Sequence, residues 1–94
     1  MKQHQYRVTL EYVADADNQP VDVAPLQFSA PNHDDIFAII AKMGPRSELS
    51  QNDLARFVVG LKLMGEVMLE NKDDPLFSAL KPHFSAFMKE LKKR

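Results

Sequence analysis

The 94-residue chain has no cysteine, no tryptophan, only three glycines and no long apolar run. Without cysteine there is no disulfide, thiolate metal site, iron–sulfur cluster or cysteine nucleophile. Three scattered glycines, Gly44, Gly60 and Gly65, cannot form a glycine-rich phosphate loop. Apolar runs such as Phe57–Leu61 stop at a lysine, far short of the ~20 residues that span a membrane. An excess of charge is also missing. Twelve Lys and Arg stand against 13 Asp and Glu, a formal net charge of −1, so no global field draws the protein onto nucleic acid or anionic lipid. The opening residues Met1-Lys2-Gln3-His4-Gln5 lead into an alternating segment, not the apolar core of a signal peptide. A cytoplasmic location is expected.

What is present is an average soluble composition, 45% apolar and 27% charged. The length predicts a single domain over residues 1–94. Tyr6, Val8, Leu10 and Tyr12 alternate with Arg7, Thr9 and Glu11, the period of a half-buried strand. A polar turn, Asp15–Pro20, follows. The next apolar set begins on Val21 and Val23, then slips one residue to Leu26, Phe28 and Ala30 across Pro25. A slipped phase beside a proline predicts a β-bulge on an edge strand. Residues 5–30 are therefore expected to form a bulged antiparallel hairpin.

From Asn32 the period becomes 3.6. Ile36, Ile39, Ile40 and Met43 predict a helix over 33–43, capped by Asn32 with Asp35 three places on, and closed by Gly44-Pro45. Ser50 and Asp53 form a second capping box, and Leu49 with Leu54 a hydrophobic staple, opening a long helix 51–70. This helix is apolar on two sides. Leu54, Phe57, Val58, Leu61, Met64, Gly65, Met68 and Leu69 share a broad face, and Val59, Leu63 and Val67 make a narrow stripe opposite. Asp74-Pro75 caps a third helix, 75–92. Pro82 is expected to break or kink it, leaving Phe84, Phe87, Met88 and Leu91 on the apolar side of its last part. The order β-β-α-α-α is α+β, with three helices packed on one face of the hairpin.

These residues carry a likeness. Asn32-His33-Asp34-Asp35-Ile36, the run Val59–Leu69, Asp74-Pro75-Leu76-Phe77 and Lys81-Pro82-His83-Phe84 resemble a small bacterial family, domain of unknown function 3861. The likeness extends from Tyr6-Arg7-Val8 to the lysine-rich end. It implies a stand-alone bacterial cytosolic α+β protein, and brings no activity, cofactor or catalytic residue with it.

Three function classes follow from the residues. The first is a protein-interaction module without catalysis or cofactor, binding an unidentified protein, its own copy, or both. Its candidate surfaces are the first strand, Tyr6, Val8, Leu10 and Tyr12, and the helical stripe Val59, Leu63 and Val67. The strand has neither proline nor bulge to blunt its edge, so it could pair with its own copy or accept a partner's strand. The stripe is either covered by neighbouring elements or exposed as a seam. The second class is a nucleic-acid regulator using Lys89, Lys92, Lys93 and Arg94 as phosphate contacts. Against it, basic residues at a helix end already complement the dipole. The third is a metal enzyme through His33, Asp34 and Asp35. Against it, aspartates at a helix start have a structural use, and nothing in the spacing brings His4 or His83 to them. Ser29, Ser47, Ser50, Ser78 and Ser85 fall in turns, caps or polar faces with no G-x-S-x-G around them. Enzymatic activity is therefore not expected.

Overall fold

A computed structural model describes residues 2–94. The order is β1 (Arg7–Leu10), β2 (Leu26–Ser29), α1 (Ile36–Met43), α2 (Gln51–Glu70) and α3 (Pro75–Lys92), an antiparallel β-hairpin followed by three helices. The chain divides into two compact units, one ending at His33 and the other spanning Asp34–Arg94.

In the first unit, β1 pairs with β2 in a continuous register, Arg7 with Ser29, Val8 with Phe28, Thr9 with Gln27 and Leu10 with Leu26. Side chains alternate across a strand, so Val8, Leu10, Leu26 and Phe28 share one face while Arg7, Thr9, Gln27 and Ser29 share the other. The same register continues to the base. His4 and Asn32 exchange two backbone hydrogen bonds of 2.7 and 3.0 Å, and Ala30 N–H donates to the Tyr6 carbonyl at 2.9 Å. The His4 and Tyr6 rings stack with centroids 6.3 Å apart.

The tip is organised by one carboxylate. Asp15 Oδ1 accepts from the backbone N–H of both Asp17 and Gln19 at 2.9 Å. Asn18 takes the left-handed φ of 64° that the turn needs, a conformation asparagine tolerates better than most residues. Beyond Leu10 and Leu26 the next pairing is Ala14 with Pro20. Three residues, Glu11–Val13, separate the two pairings on the first arm, and five, Val21–Pro25, on the second. The irregularity expected on the second strand lies between Pro20 and Leu26. The second arm holds two more residues than the first, an even number that leaves the alternation in phase, and the continuous ladder ends there. β2 begins directly after Pro25.

In the second unit, α1 starts at Ile36, the first residue of the apolar period and three residues later than a cap at Asn32 would set it. Asp35 is its cap, accepting from Ala38 N–H at 3.0 Å. Asn32, the expected cap, is instead committed to the hairpin base and is 2% exposed. Gly44 follows in right-handed conformation, φ −49°, and the chain tightens into a 3₁₀ turn, Gly44–Arg46. The helix thus ends at Pro45, which cannot donate to an i−4 carbonyl, and not through a left-handed glycine.

Ser50 caps α2 as expected, its hydroxyl accepting from Asp53 N–H at 3.0 Å. At the far end, Asn71 satisfies carbonyls that a helix terminus leaves open. Its side-chain amide donates to Val67 O at 2.8 Å, and its backbone N–H reaches Val67 and Met68. Asp74 then caps α3, accepting from Leu76 N–H at 2.9 Å, with Pro75 in the first turn. The Ser78 hydroxyl bonds back to Lys72 O at 3.2 Å, tying the corner. α3 runs unbroken through Pro82. The carbonyl that Pro82 leaves without a donor belongs to Ser78, which is exposed, so water can take the place of the missing bond.

α2 organises this unit. Val58 and Leu54 lie at the centre of its buried arc, joined by Met68 and by Ile36 of α1. α1 packs against α2. α3 meets α2 where the Phe84 ring covers Gly65, a Cβ there lying 3.6 Å from Phe84 Cζ. Phe87 stands edge-on to Phe57, centroids 6.1 Å apart and planes at 79°. Gly60 has nothing within 4 Å of where its Cβ would lie.

Two stability outcomes follow. Gly60→Ala should stabilise the protein by about 0.5–1 kcal/mol, because a mid-helix glycine loses backbone entropy with no close contact in return. Leu54→Ala should cost ~2–5 kcal/mol through lost burial and a residual cavity. Urea denaturation of the two variants beside the unaltered protein measures both.

Candidate functional site

The first-strand residues occupy the positions that alternation assigns them. Tyr6 and Val8 are half-buried near the hairpin base, whereas Leu10 and Tyr12 are exposed toward the tip. Leu10 is 62% exposed, and its cross-strand partner Leu26 58%. Phe28, opposite Val8, is 41% exposed. Leu26 and Phe28 are the residues that reasoning from the first strand alone missed. They belong to the same patch because the register sets them directly across from Leu10 and Val8. Leu10, Leu26 and Phe28 together make an exposed apolar surface on one face of the hairpin.

The stripe on α2 grades from covered to open. Val59 and Leu63 are half-buried, and Val67 is 46% exposed. At ~100° per residue, the three lie progressively further from Lys62, on the side away from Phe57 and Gly65. Lys62 is itself engaged. Its Nζ lies 2.9 Å from Asp34 Oδ2, with both side chains mostly covered. Glu66, one turn further on, is only 5% exposed and takes part in a polar interaction.

His33, Asp34 and Asp35 do not converge. Asp34 pairs with Lys62 and Asp35 caps α1. Among the described residues no group of three or more His, Cys, Asp or Glu is gathered as a metal site. Of the basic residues at the C-terminal end, Lys93 pairs with Glu90 at 3.1 Å. Lys89 and Lys92 sit in the last turn of α3, where the negative end of the helix dipole favours cations. All four of Lys89, Lys92, Lys93 and Arg94 are exposed.

α3 presents a further apolar surface that its core stripe partly hides in sequence. Phe77, Phe84, Met88 and Leu91 form one half-buried line. Leu76, Leu80 and Phe87 run along its flank and are exposed. With Phe77, Ala79 and His83, Leu76 and Leu80 line a shallow, almost wholly apolar hollow. Among the described residues no helix is long and apolar enough to cross a membrane.

A family model, described as a domain of unknown function with a solved structure, matches residues 4–93. The chain belongs to that family, domain of unknown function 3861. It is also similar to a protein of unknown function from Pectobacterium atrosepticum SCRI1043, whose crystal structure superposes with a TM-score of 0.86. The two are 33% identical, and the likeness covers 99% of this chain and 100% of the other. No curated protein matches. The family therefore supports the α+β architecture, and it brings no activity to the residues described above.

The covered pair on α2 has a measurable strength. Exposed ion pairs contribute ~0–1 kcal/mol, and Lys62 with Asp34 lies at or above the top of that range because water is partly excluded. A double-mutant cycle with Asp34→Ala and Lys62→Ala should return a coupling of about 1 kcal/mol. The same cycle on Asp53 and Arg56, both well exposed at 3.1 Å, should return about 0.5 kcal/mol or less.

Proposed function

We propose that this is a small cytoplasmic protein-interaction module that works without catalysis and as a homodimer. The observation carrying the reading is the apolar face of the hairpin, where Leu10, Leu26 and Phe28 lie side by side and exposed. A two-stranded hairpin is marginal in water unless its apolar face is covered, and contiguous apolar surface on a small protein marks a contact site. The strand residues Tyr6, Val8, Leu10 and Tyr12 are the leading contact set. The stripe Val59, Leu63 and Val67 is the secondary one, entered from its open end at Val67. Absence of catalysis is favoured by the employment of the aspartates beside His33, with Asp34 in an ion pair and Asp35 in a helix cap.

Nucleic-acid binding through Lys89, Lys92, Lys93 and Arg94 makes a different prediction. Phosphate contacts weaken steeply with salt, whereas apolar association does not. Sedimentation velocity at low and high salt should find a dimer at both. Leu10→Gln should keep the helical circular dichroism of the native protein, since residue 10 is exposed, and weaken the dimer by roughly tenfold for loss of one apolar anchor. A monomer at every concentration, with salt-sensitive retention on DNA or RNA, overturns the proposal in favour of the basic helix end. Capture from nuclease-treated bacterial lysate then separates protein partners from nucleic-acid carry-over.

A further inference from the structure

Antiparallel strands exchange both backbone hydrogen bonds at alternate residues. In this hairpin His4 and Asn32 make such an exchange, and Ala30 donates to Tyr6. Continued along the register, Tyr6, Val8 and Leu10 direct their N–H and C=O groups toward β2. Arg7, Thr9 and Glu11 therefore direct theirs to the outer edge of β1. The sheet has two strands, so no third strand takes those groups among the described residues. The matching edge of β2 begins behind Pro25, which has no N–H to offer.

The segment bearing this open edge reads Tyr6-Arg7-Val8-Thr9-Leu10-Glu11-Tyr12. It is a palindrome in chemical type, with threonine at its centre, an aliphatic residue on each side, then a cation and an anion, then two tyrosines. Arg7 and Glu11 are both exposed, and neither has an ion-pair partner among the described residues.

We propose that two copies of the chain join β1 to β1 in antiparallel fashion about a two-fold axis through Thr9, making a four-stranded sheet. The inference rests on the homodimer reading above and specifies its contact. Thr9 faces Thr9 of the second copy, and Arg7 faces Glu11 twice, once on each side of the axis. Val8 faces Leu10 and Tyr6 faces Tyr12 on the apolar side. All the outward backbone groups of residues 7, 9 and 11 are then paired, and β1 lengthens through Glu11. Isologous pairing of this kind needs a self-complementary strand, and opposite charges directly across a sheet are favourable. Other registers lose this. A slip of two residues sets Arg7 or Glu11 against Thr9, and a slip of four sets like charge against like. A slip of one turns the apolar side chains to the wrong face. The joined sheet carries one apolar face across both copies, bringing Leu10 of each beside Val8 of the other.

The test uses charge reversal followed by mixing. Arg7→Glu and Glu11→Arg, each alone, place like charges across the axis and should weaken the dimer by roughly tenfold or more in sedimentation velocity. An equimolar mixture of the two variants restores opposite charges at both contacts, so it should form a heterodimer near native strength. Thr9→Pro removes an N–H that faces the open edge, not the ladder to β2, and should leave a monomer with native helical circular dichroism. A native dimer unmoved by either reversal, or a mixture no stronger than its components, overturns this register while leaving a homodimer through another surface. A native protein that is monomeric throughout overturns both readings together.

Discussion

The 20-residue α2 has more apolar surface than one neighbour can cover, and the helical unit is arranged around that excess. Val58 lies at the middle of the buried arc. α3 comes in over Phe57 and Gly65, and Asp34, just ahead of α1, is bound to Lys62 roughly 100° round the helix. Two neighbours about 100° apart leave the far side of α2 open. That geometry explains why Val59 and Leu63 are half-covered and Val67 is not. It also explains how a lysine and a glutamate one turn apart come to lie in covered surroundings. Charges are tolerated there because they are paired or otherwise bonded, since an uncompensated charge away from water is costly.

The hairpin meets a similar shortage by different means. Four paired residues on each strand make a ladder too short to stand alone. Its polar face needs nothing, but the apolar face carries Leu10, Leu26 and Phe28 into solvent toward the tip. The polar tip is held by Asp15 and by the left-handed Asn18, so the exposed apolar surface is not a product of an unformed turn. An ordered ladder with one wet apolar face and one open backbone edge is what the proposed pairing of β1 with β1 would cover, and the strand at that edge is complementary to itself.

The element order, helix spans and two of the three helix caps were legible because each rests on local chemistry. Ser50 and Asp74 cap as read, since a hydroxyl or carboxylate one residue ahead of a helix reaches open N–H groups whatever the tertiary structure. The start of α1 was misplaced for the opposite reason. Asn32 and Asp35 are both competent caps, and the choice between them was made by a non-local pairing of Asn32 with His4. The irregular stretch before Leu26 was visible in the apolar pattern and Pro25, but its size was not, because the number of excess residues depends on which residue pairs with which across the turn. Pro82 was read as a point of failure. A helix survives the loss of one hydrogen bond where the residue whose carbonyl is freed, here Ser78, is open to water.

What the sequence determined by itself is therefore the periodic and the local: two strands, three helices, their α+β order, the turn at Asp15–Pro20, and an employment for Asp34-Asp35 near a helix start. What only the tertiary structure decided is which apolar positions remain uncovered. The same spacing that makes Leu10, Phe28, Val67 and Leu80 candidates for a core also makes them candidates for an interface. Periodicity records which side of an element is apolar, and burial depends on whether another element reaches that side.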